Sequence, residues 1–348
     1  MTSGDSVDST VRRANIRLVA QVAGVSMSTV SNVLNKPQLV AHSTRHRVRD
    51  AMDQVGYVRN GAARQLRGAP SSVVGCVLLD TSNAYFATVA RGIEDCLADD
   101  GCMLVQCSTD MQERREERYL RLLEEQGVRG VIISPVAPGL PELVRLGERG
   151  IPVVLLDHPR DGTDLCAVTV DNVAGGALAA RHLLAAGQRN IAFVRSGPPL
   201  RTISDRLAGV RDAFYDHGLD PDAHVAEIAV RSTATSAIAE EAIAGILGRS
   251  PRPDAVICCN DAAALGVYRG LRERGIAIPD DISVVGYDDV EFAAELSPAL
   301  TTVRQPAYEV GYAAARLLLS EEQTGHRHEQ VTFLPELVER DSTAPRLR

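Results

Sequence analysis

Six acidic or amide side chains directly follow apolar runs of the sequence, where they could bind a hydroxyl-rich ligand. Carboxylate oxygens accept hydrogen bonds, and an amide both accepts and donates them. If the apolar runs are parallel β-strands, these side chains meet at the carboxyl edges of sheets, where open α/β folds bind ligands. Helix capping is the alternative role, above all for Asp261 and Asp289. The six side chains are Asp80, Asp157, Asn260, Asp261, Asp288 and Asp289.

A second set of short polar side chains indicates contact with DNA. Residues 16–35 place small or apolar residues at helical spacing on both sides of Gly24, which predicts two helices joined by a tight turn. Ser26 can cap the second helix, whose exposed side chains are short enough to enter a groove of the duplex. These features favour a helix-turn-helix over an ordinary helical hairpin in a larger core.

The charge distribution supports this interpretation. Residues 1–68 contain ten Lys and Arg against four Asp, a net charge of +6. The whole chain carries −8, so the remainder carries −14. A basic module on an acidic body is typical of a protein that neutralises DNA phosphates with one part only. An exported sugar receptor without a DNA role would not need this asymmetry.

Two α/β subdomains should position the strand-end residues. A third helix is predicted from about Ser43 to Val55, and after residue 73 apolar runs alternate with stretches of helical length. A first group of four runs and a second group of four predict two doubly wound units with a ligand cleft between them. A late helix at 307–319 and a last strand at 330–334 complete the chain. The runs are VVGCVLLD, MLVQCS, GVIISP and IPVVLLD, then NIAFVRS, VAEIAV, DAVICCN and ISVVGYD.

Composition narrows the function classes. No apolar run is long enough for a membrane span or a signal peptide, so we expect a cytoplasmic protein without a membrane partner. The seven cysteines include no Cys-x-x-Cys pair, and we expect buried reduced thiols, with neither a disulfide framework nor a metal site. No nucleotide-binding glycine loop, nucleophile elbow or metal-hydrolase spacing is present, so no enzyme activity and no cofactor are predicted.

The segment GAARQLRG, between the basic module and the α/β region, has two interpretations. It is too short and polar to form a stable helix alone, so it could be a plain linker. Alternatively, it becomes helical on DNA, with Leu66 wedged into the minor groove and Arg64 and Arg67 on phosphates. Spacing alone does not choose between them.

Together, six motifs resemble the lactose-repressor/galactose-repressor (LacI/GalR) family of bacterial transcriptional regulators. They are VAQVAGVSMSTVSNVLN, AARQLRG, DRLAGVRDAF, CCNDAAALG, ISVVGYDD and LSPALTTVRQP. The resemblance implies a homodimer on a palindromic operator and a hinge helix that folds on DNA. It also implies closure of the core on a small, sugar-like effector that alters operator affinity. It implies an N-terminal all-α helix-turn-helix domain followed by an α/β periplasmic-binding-protein-like core.

The resemblance also sets the expected boundaries. A disordered leader would occupy 1–14, the helix-turn-helix domain 15–59, the hinge helix and linker 60–72, and the core 73–342. Because the chain would cross between subdomains near Thr169, Arg304 and Gln330, the N-subdomain would comprise about 73–168 plus 305–329. The C-subdomain would comprise about 169–304 plus 330–342.

The site residues follow from the matched motifs. DNA contacts are expected from Arg17, Ser26, Met27, Ser28, Thr29, Ser31, Asn32, Asn35, Tyr57, Asn60, Ala63, Arg64, Leu66 and Arg67. Effector contacts are expected from Tyr85, Phe86, Asp157, Thr202, Arg206, Arg231, Asn260 and Asp288.

Two departures from the family pattern matter for specificity. Asn32 stands where many relatives have arginine, and asparagine pairs with adenine in the major groove. Arg231 and Ser232 replace the acid and stacking aromatic common in the family, which gives weight to an anionic effector. Induction and corepression, the latter with a purine-like or anionic ligand, both remain open.

Overall fold

A computed structural model describes residues 14–58, 70–136 and 140–345. Its internal contacts divide the chain into one unit up to Pro70 and a second from Ser71. Residues 1–13 of the expected leader at 1–14 and the expected hinge contacts Asn60, Ala63, Arg64, Leu66 and Arg67 lie outside the described residues. Within the described ranges, none of the helices combines the length and apolar character needed to span a lipid bilayer.

The N-terminal unit is the predicted helix-turn-helix with a third helix behind it. Helices α1 (Ile16–Ala23), α2 (Met27–Asn35) and α3 (His42–Val55) enclose a core in which Val19, Val30 and Val48 are fully buried. Gly24 ends α1 with φ 63°, the left-handed conformation that glycine adopts without strain. Helix α3 begins at His42, one residue before the predicted Ser43, and the residue that precedes it, Ala41, offers no capping side chain.

The first sheet of the core has six parallel strands in the order β11-β5-β4-β3-β1-β2. Its helices include α13, which packs on α4 and on the strands β3, β4 and β5. The strands are β1 (Val73–Leu78), β2 (Met103–Ser108), β3 (Gly130–Ile133), β4 (Val153–Leu156), β5 (Cys166–Val170) and β11 (Gln330–Phe333). The helices are α4 (Ala84–Ala98), α5 (Glu113–Glu125), α6 (Pro141–Glu148) and α13 (Ala307–Ser320).

The second sheet has the order β12-β10-β9-β8-β6-β7, with only β12 antiparallel to its neighbour. Its strands are β6 (Ile191–Ser196), β7 (Val225–Val230), β8 (Ala255–Cys258), β9 (Ser283–Asp288), β10 (Thr301–Arg304) and β12 (Glu336–Val338). The remaining helices are α7 (Asn172–Ala185), α8 (Arg201–Asp216), α9 (Pro221–His224), α10 (Thr235–Leu247), α11 (Asp261–Glu273) and α12 (Phe292–Glu295).

The structure corrects the expected course of the chain near its end. Strand β11 pairs with β5, Gln330 opposite Ala167, and therefore belongs to the first sheet. Its assignment with 330–342 to the C-subdomain is wrong. Val331 and Phe333 alternate with polar residues and pack on the core of the first sheet, which fixes the strand there. The chain passes to the second sheet only after Phe333, not near Gln330. Strands β5, β10 and β12 were not predicted.

Candidate functional site

A cavity of about 520 Å³ lies between the two subdomains, at the carboxyl ends of their strands. Both sheets contribute side chains to its wall, as the strand-end residues predicted. Of the eight expected effector contacts, seven line this cavity. The first subdomain supplies Tyr85, Phe86 and Asp157, and the second supplies Thr202, Arg206, Asn260 and Asp288.

Arg206 is the buried cation of the cavity. Its Nε donates to Asn172 Oδ1 at 2.8 Å and its Nη1 to the Cys259 carbonyl at 2.5 Å. The guanidinium also stacks on the Tyr287 ring, 3.6 Å from its centroid. These three contacts fix the planar group, which is the arrangement needed to donate further hydrogen bonds in a set direction.

Helix α8 can place Arg206 there because it crosses α7 at very short range. At Gly209 an added Cβ would lie 1.8 Å from the Val173 carbonyl oxygen of α7. A glycine is therefore required at this crossing. The close approach brings Arg206 within reach of Asn172, the first residue of α7.

Asp157 and Asp288 face the same cavity from opposite subdomains. Tyr85 Oη donates to Asp157 Oδ1 at 3.0 Å, and Gln305 Nε2 donates to Asp288 Oδ1 at 2.7 Å. Burial raises the pKa of each carboxyl to about 6, although the positive charge of Arg206 opposes the shift. Above that pH both carboxylates are hydrogen-bond acceptors for a ligand.

An apolar patch complements the polar groups. The Tyr85 and Phe86 rings meet edge to face with centroids 5.2 Å apart, and Phe292 and Leu265 also line the cavity. Such a wall suits the apolar face of a ring whose edges carry hydrogen-bonding groups.

Four further residues of the site were missed. Asn83 donates to Asp288 Oδ2 at 3.4 Å, Asn172 and Tyr287 hold Arg206, and Gln305 holds Asp288. Within the described residues, Gln305 Oε1 is buried without a hydrogen-bond partner, and its residue lines the cavity. A signal was available only for Gln305, which directly follows a strand, but that strand was itself unpredicted.

Arg231 does not line the cavity that the other seven expected effector contacts share. Its side chain is exposed and lines an adjoining, more open cavity of about 890 Å³. That cavity also contains Asp80, Asp110 and Arg195, and Arg195 is paired with Glu227. Arg231 therefore lies outside the cavity of Arg206 and Asp288 because β7 ends further from the centre of the cleft.

Two of the remaining strand-end acids, Asp261 and Asp289, have structural roles, whereas Asp80 lines both the cavity of Arg206 and the adjoining one. Asp261 is buried and accepts from Thr302 Oγ1 at 2.7 Å and from the Val290 backbone N–H at 2.9 Å. Asp289 pairs with Arg304 and Arg340, each at 2.7 Å. Neither lines the cavity, and the cap of α11 is Asn260, whose Oδ1 accepts from the Ala263 N–H at 2.8 Å.

Helix α2 presents the expected row of polar side chains. Ser26 caps it by accepting from the Thr29 N–H at 3.1 Å. Tyr57 is half-buried against the core of the unit, and Thr29 and Ser31 are also half-buried. The exposed residues of the expected DNA contacts in this unit are Arg17, Ser26, Met27, Ser28, Asn32 and Asn35.

Comparison with known proteins decides the family. Residues 15–60 match the family described as bacterial regulatory proteins, lacI family, and residues 180–343 match the periplasmic binding protein-like domain. The chain is 33% identical over 341 residues to the HTH-type transcriptional repressor PurR of Aliivibrio fischeri, covering 96% of this chain and 100% of that protein. The chain belongs to the LacI family.

Solved structures of the LacI family agree with this assignment. The Lac repressor dimer bound to operator and the anti-inducer ONPF matches with a TM-score of 0.81 and 26% identity, over 96% of this chain and 100% of that one. A LacI family regulator from Enterococcus faecium with bound ribose matches with a TM-score of 0.72 and 31% identity, over 79% and 100%. The predicted fold class and the prediction of a DNA-binding transcriptional regulator are confirmed.

Proposed function

We propose that the chain is a repressor that binds a palindromic operator as a homodimer and whose operator affinity is set by a small polar effector. It acts in the cytoplasm, where bacterial DNA is found, and uses neither a cofactor nor a catalytic step. The proposal rests on one observation. Asp157 belongs to the first subdomain and Arg206 and Asp288 belong to the second, but all three line the same cavity. A ligand that bridges them stabilises one relative arrangement of the subdomains, which is what ligand control of affinity requires.

The charges of the cavity favour a neutral, hydroxyl-rich effector such as a sugar. Asp157 and Asp288 supply acceptors for hydroxyl donors, and Arg206 supplies a fixed donor. Since the two carboxylates outnumber the one guanidinium, an anion would be repelled at neutral pH. The aromatic pair Tyr85 and Phe86 can pack on the apolar face of a sugar ring. The bound ribose of the related Enterococcus faecium regulator supports this class.

A purine-like ligand that acts as a corepressor is the second candidate. Its support is the similarity to PurR repressors along nearly the whole chain. A planar base would use the aromatic wall and hydrogen-bond at its edge to Asp288 or Asn260. An anionic ligand is a weaker alternative, because Arg231 lies in the adjoining cavity with two acids.

On the DNA side, we propose that α2 enters the major groove with Asn32 toward a base edge and Arg17 toward phosphate. Residues 60–67 would fold as a hinge helix on the operator, with Leu66 in the minor groove.

The effector proposal is tested by calorimetric titration of the full chain with neutral sugars, sugar phosphates and purines. Arg206→Lys keeps the charge but loses the planar fork that binds Asn172 and Cys259, so we expect sugar affinity to fall about 10-fold or more. Arg231→Ala is the matched control and should bind the sugar as wild type does. A sugar phosphate that binds better than its parent sugar, with the gain lost in Arg231→Ala, would instead establish the anionic ligand.

A further inference from the structure

Four side chains from three separate segments converge at the amino end of the first sheet. Cys166 is the first residue of β5, Glu321 directly follows α13, and His326 and His328 lie in the loop before β11. One ligand atom from each lies within 4.8 Å of all the others. This end of the sheet is opposite the effector cavity, since the strands are parallel and the cavity lies at their carboxyl ends.

Four of the six separations between these atoms are close to those of a tetrahedral metal site, and all six are within 4.8 Å. Cys166 Sγ lies 3.2 Å from His326 Nε2 and 3.8 Å from His328 Nδ1. Glu321 Oε1 lies 3.5 Å from His326 Nε2 and 3.1 Å from His328 Nδ1. Zinc bonds of about 2.0 Å to nitrogen or oxygen and about 2.3 Å to sulfur place tetrahedral ligands about 3.3–3.6 Å apart.

Three of the four side chains are largely buried, His328 is 32% exposed, and a neighbouring serine orients His326. Cys166 is fully buried, and the side chains of Glu321 and His326 are only 11% and 12% exposed. His326 Nδ1 lies 3.3 Å from Ser320 Oγ, which itself donates to the Leu317 carbonyl. The serine oxygen can therefore accept from Nδ1–H, which leaves the lone pair of Nε2 directed at the cluster, as outer contacts do for metal-binding histidines.

Two further features of the surroundings bear on the site, one electrostatic and one structural. Glu321 lies at the carboxyl end of α13, where the helix dipole places partial negative charge. Arg160 fixes the loop from the other side by donating through Nη1 to the His328 carbonyl at 2.8 Å, so the loop is held in place by its backbone. With a thiolate, a carboxylate and two neutral imidazoles, a divalent ion would make the buried site electrically neutral.

We propose that Cys166, Glu321, His326 and His328 bind one divalent transition-metal ion of the zinc class. Sulfur, nitrogen and carboxylate donors in a tetrahedral set are those that Zn²⁺ prefers. The ion would join β5, the end of α13 and the loop that leads into edge strand β11. It would thus anchor the segment that continues from the first subdomain into the second. The proposal departs from the expectation that the chain has no metal site, whereas Cys166 itself stays reduced in it.

The alternative is a metal-free network in which a proton is shared among the same atoms. Burial and the nearby Glu321 charge raise the pKa of the Cys166 thiol to about 12, so without an ion the thiol stays protonated. A thiol is a weak donor, and it would hydrogen-bond only one of the three acceptors around it. The two alternatives differ in whether metal binding produces a thiolate, which spectroscopy reports directly.

The test is titration of the full, tag-free chain with Co²⁺ after removal of metals under reducing conditions. We expect a thiolate-to-cobalt charge-transfer band and tetrahedral d–d bands that saturate at one ion per chain and are lost when Zn²⁺ is added. Cys166→Ser should abolish the charge-transfer band. Cys107→Ser is the matched control, because this half-buried thiol lies outside the cluster, and it should leave the band unchanged.

Further variants test the same metal site in case Cys166→Ser does not fold. His326→Ala and Glu321→Gln should weaken Zn²⁺ binding, measured against a chromophoric chelator, by about 10- to 100-fold or more. Arg206→Lys should leave Zn²⁺ binding unchanged, because the effector cavity is at the other end of the sheet. Absence of the charge-transfer band in wild type, or its persistence in Cys166→Ser, overturns the proposal in favour of the metal-free network.

Discussion

Replacing Asp288 with asparagine should make the effector-free protein more stable and a poorer receptor. The carboxylate is buried and accepts from Gln305 and Asn83. Asparagine keeps its shape, and it tolerates the positive φ of 114° at this position better than most residues. If the Gln305 amide rotates by half a turn, its unpartnered Oε1 can accept from the new amide.

The size of the stability change follows from the pKa. Burial raises the pKa of Asp288 from 3.8 to about 6, so the folded state binds this proton more tightly than the unfolded chain does. The stability of the fold therefore decreases as pH rises from about 4 through about 6, by about 3 kcal/mol for a shift of this size. At neutral pH Asp288→Asn avoids this cost. The substitution also removes a negative charge beside Arg206, which offsets part of this gain. We therefore expect a net increase of about 1–3 kcal/mol in the free energy of unfolding.

Effector binding should change in the opposite direction. A hydroxyl that donates to a carboxylate contributes about 1.5–3 kcal/mol, whereas a neutral acceptor contributes less. Because only the difference of about 0.5–2 kcal/mol is lost, effector affinity should fall by about 2- to 30-fold in Asp288→Asn. In wild type, affinity should also decline below about pH 6, where Asp288 and Asp157 become protonated.

Urea unfolding of the effector-free chain near pH 7.5 and near pH 4.5, combined with calorimetric titration of the effector, measures both changes. The stability advantage of Asp288→Asn should be present at the higher pH and nearly absent at the lower one. The exposed Asp280→Asn serves as the matched control and should show neither effect. A variant that is less stable than wild type at neutral pH, or a stability advantage that does not depend on pH, would contradict this prediction.

Two further predictions concern the α7/α8 crossing and the DNA-reading helix. Gly209→Ala should destabilise the core by about 1–3 kcal/mol or more, because its Cβ would lie 1.8 Å from the Val173 carbonyl oxygen. Helix α8 must then move and carry Arg206 with it, so effector binding should weaken too. Thermal unfolding measures the loss of stability, and an unchanged melting temperature would contradict it. Asn32→Ala should relax operator preference at one base pair per half-site by about 1–3 kcal/mol, measured by operator selection from a random pool. The same selected sequence for both proteins would show that Asn32 reads no base.

Features that depend on neighbouring residues were predictable from the sequence. The turn at Gly24, the cap at Ser26 and the buried valines of α1 and α2 all follow from helical spacing over a few residues. The strand-end position of Asp157 and Asp288 was equally visible, because both follow predominantly apolar runs.

Features that depend on distant pairing were not predictable. Strand β10 has the sequence TTVR and β12 has only three residues, ELV, so neither forms a continuous apolar run like those of the predicted strands. The Gln330–Phe333 alternation does not indicate which sheet it joins. Gln305 reaches Asp288 only because β10 lies beside β9. In the same way, Cys166 and His326 are 160 residues apart and meet only through the packing of β5 against the end of α13.

The most direct test of the account is fluorescence anisotropy of an operator selected by this protein, titrated at fixed salt with and without the effector that binds the cavity. We predict that the effector changes operator affinity about 10-fold or more, and that Arg206→Lys binds the operator with nearly wild-type affinity but no longer responds at the same effector concentration. An effector that occupies the cavity and leaves operator affinity unchanged would contradict ligand control, and failure to select any operator would contradict DNA reading by α2.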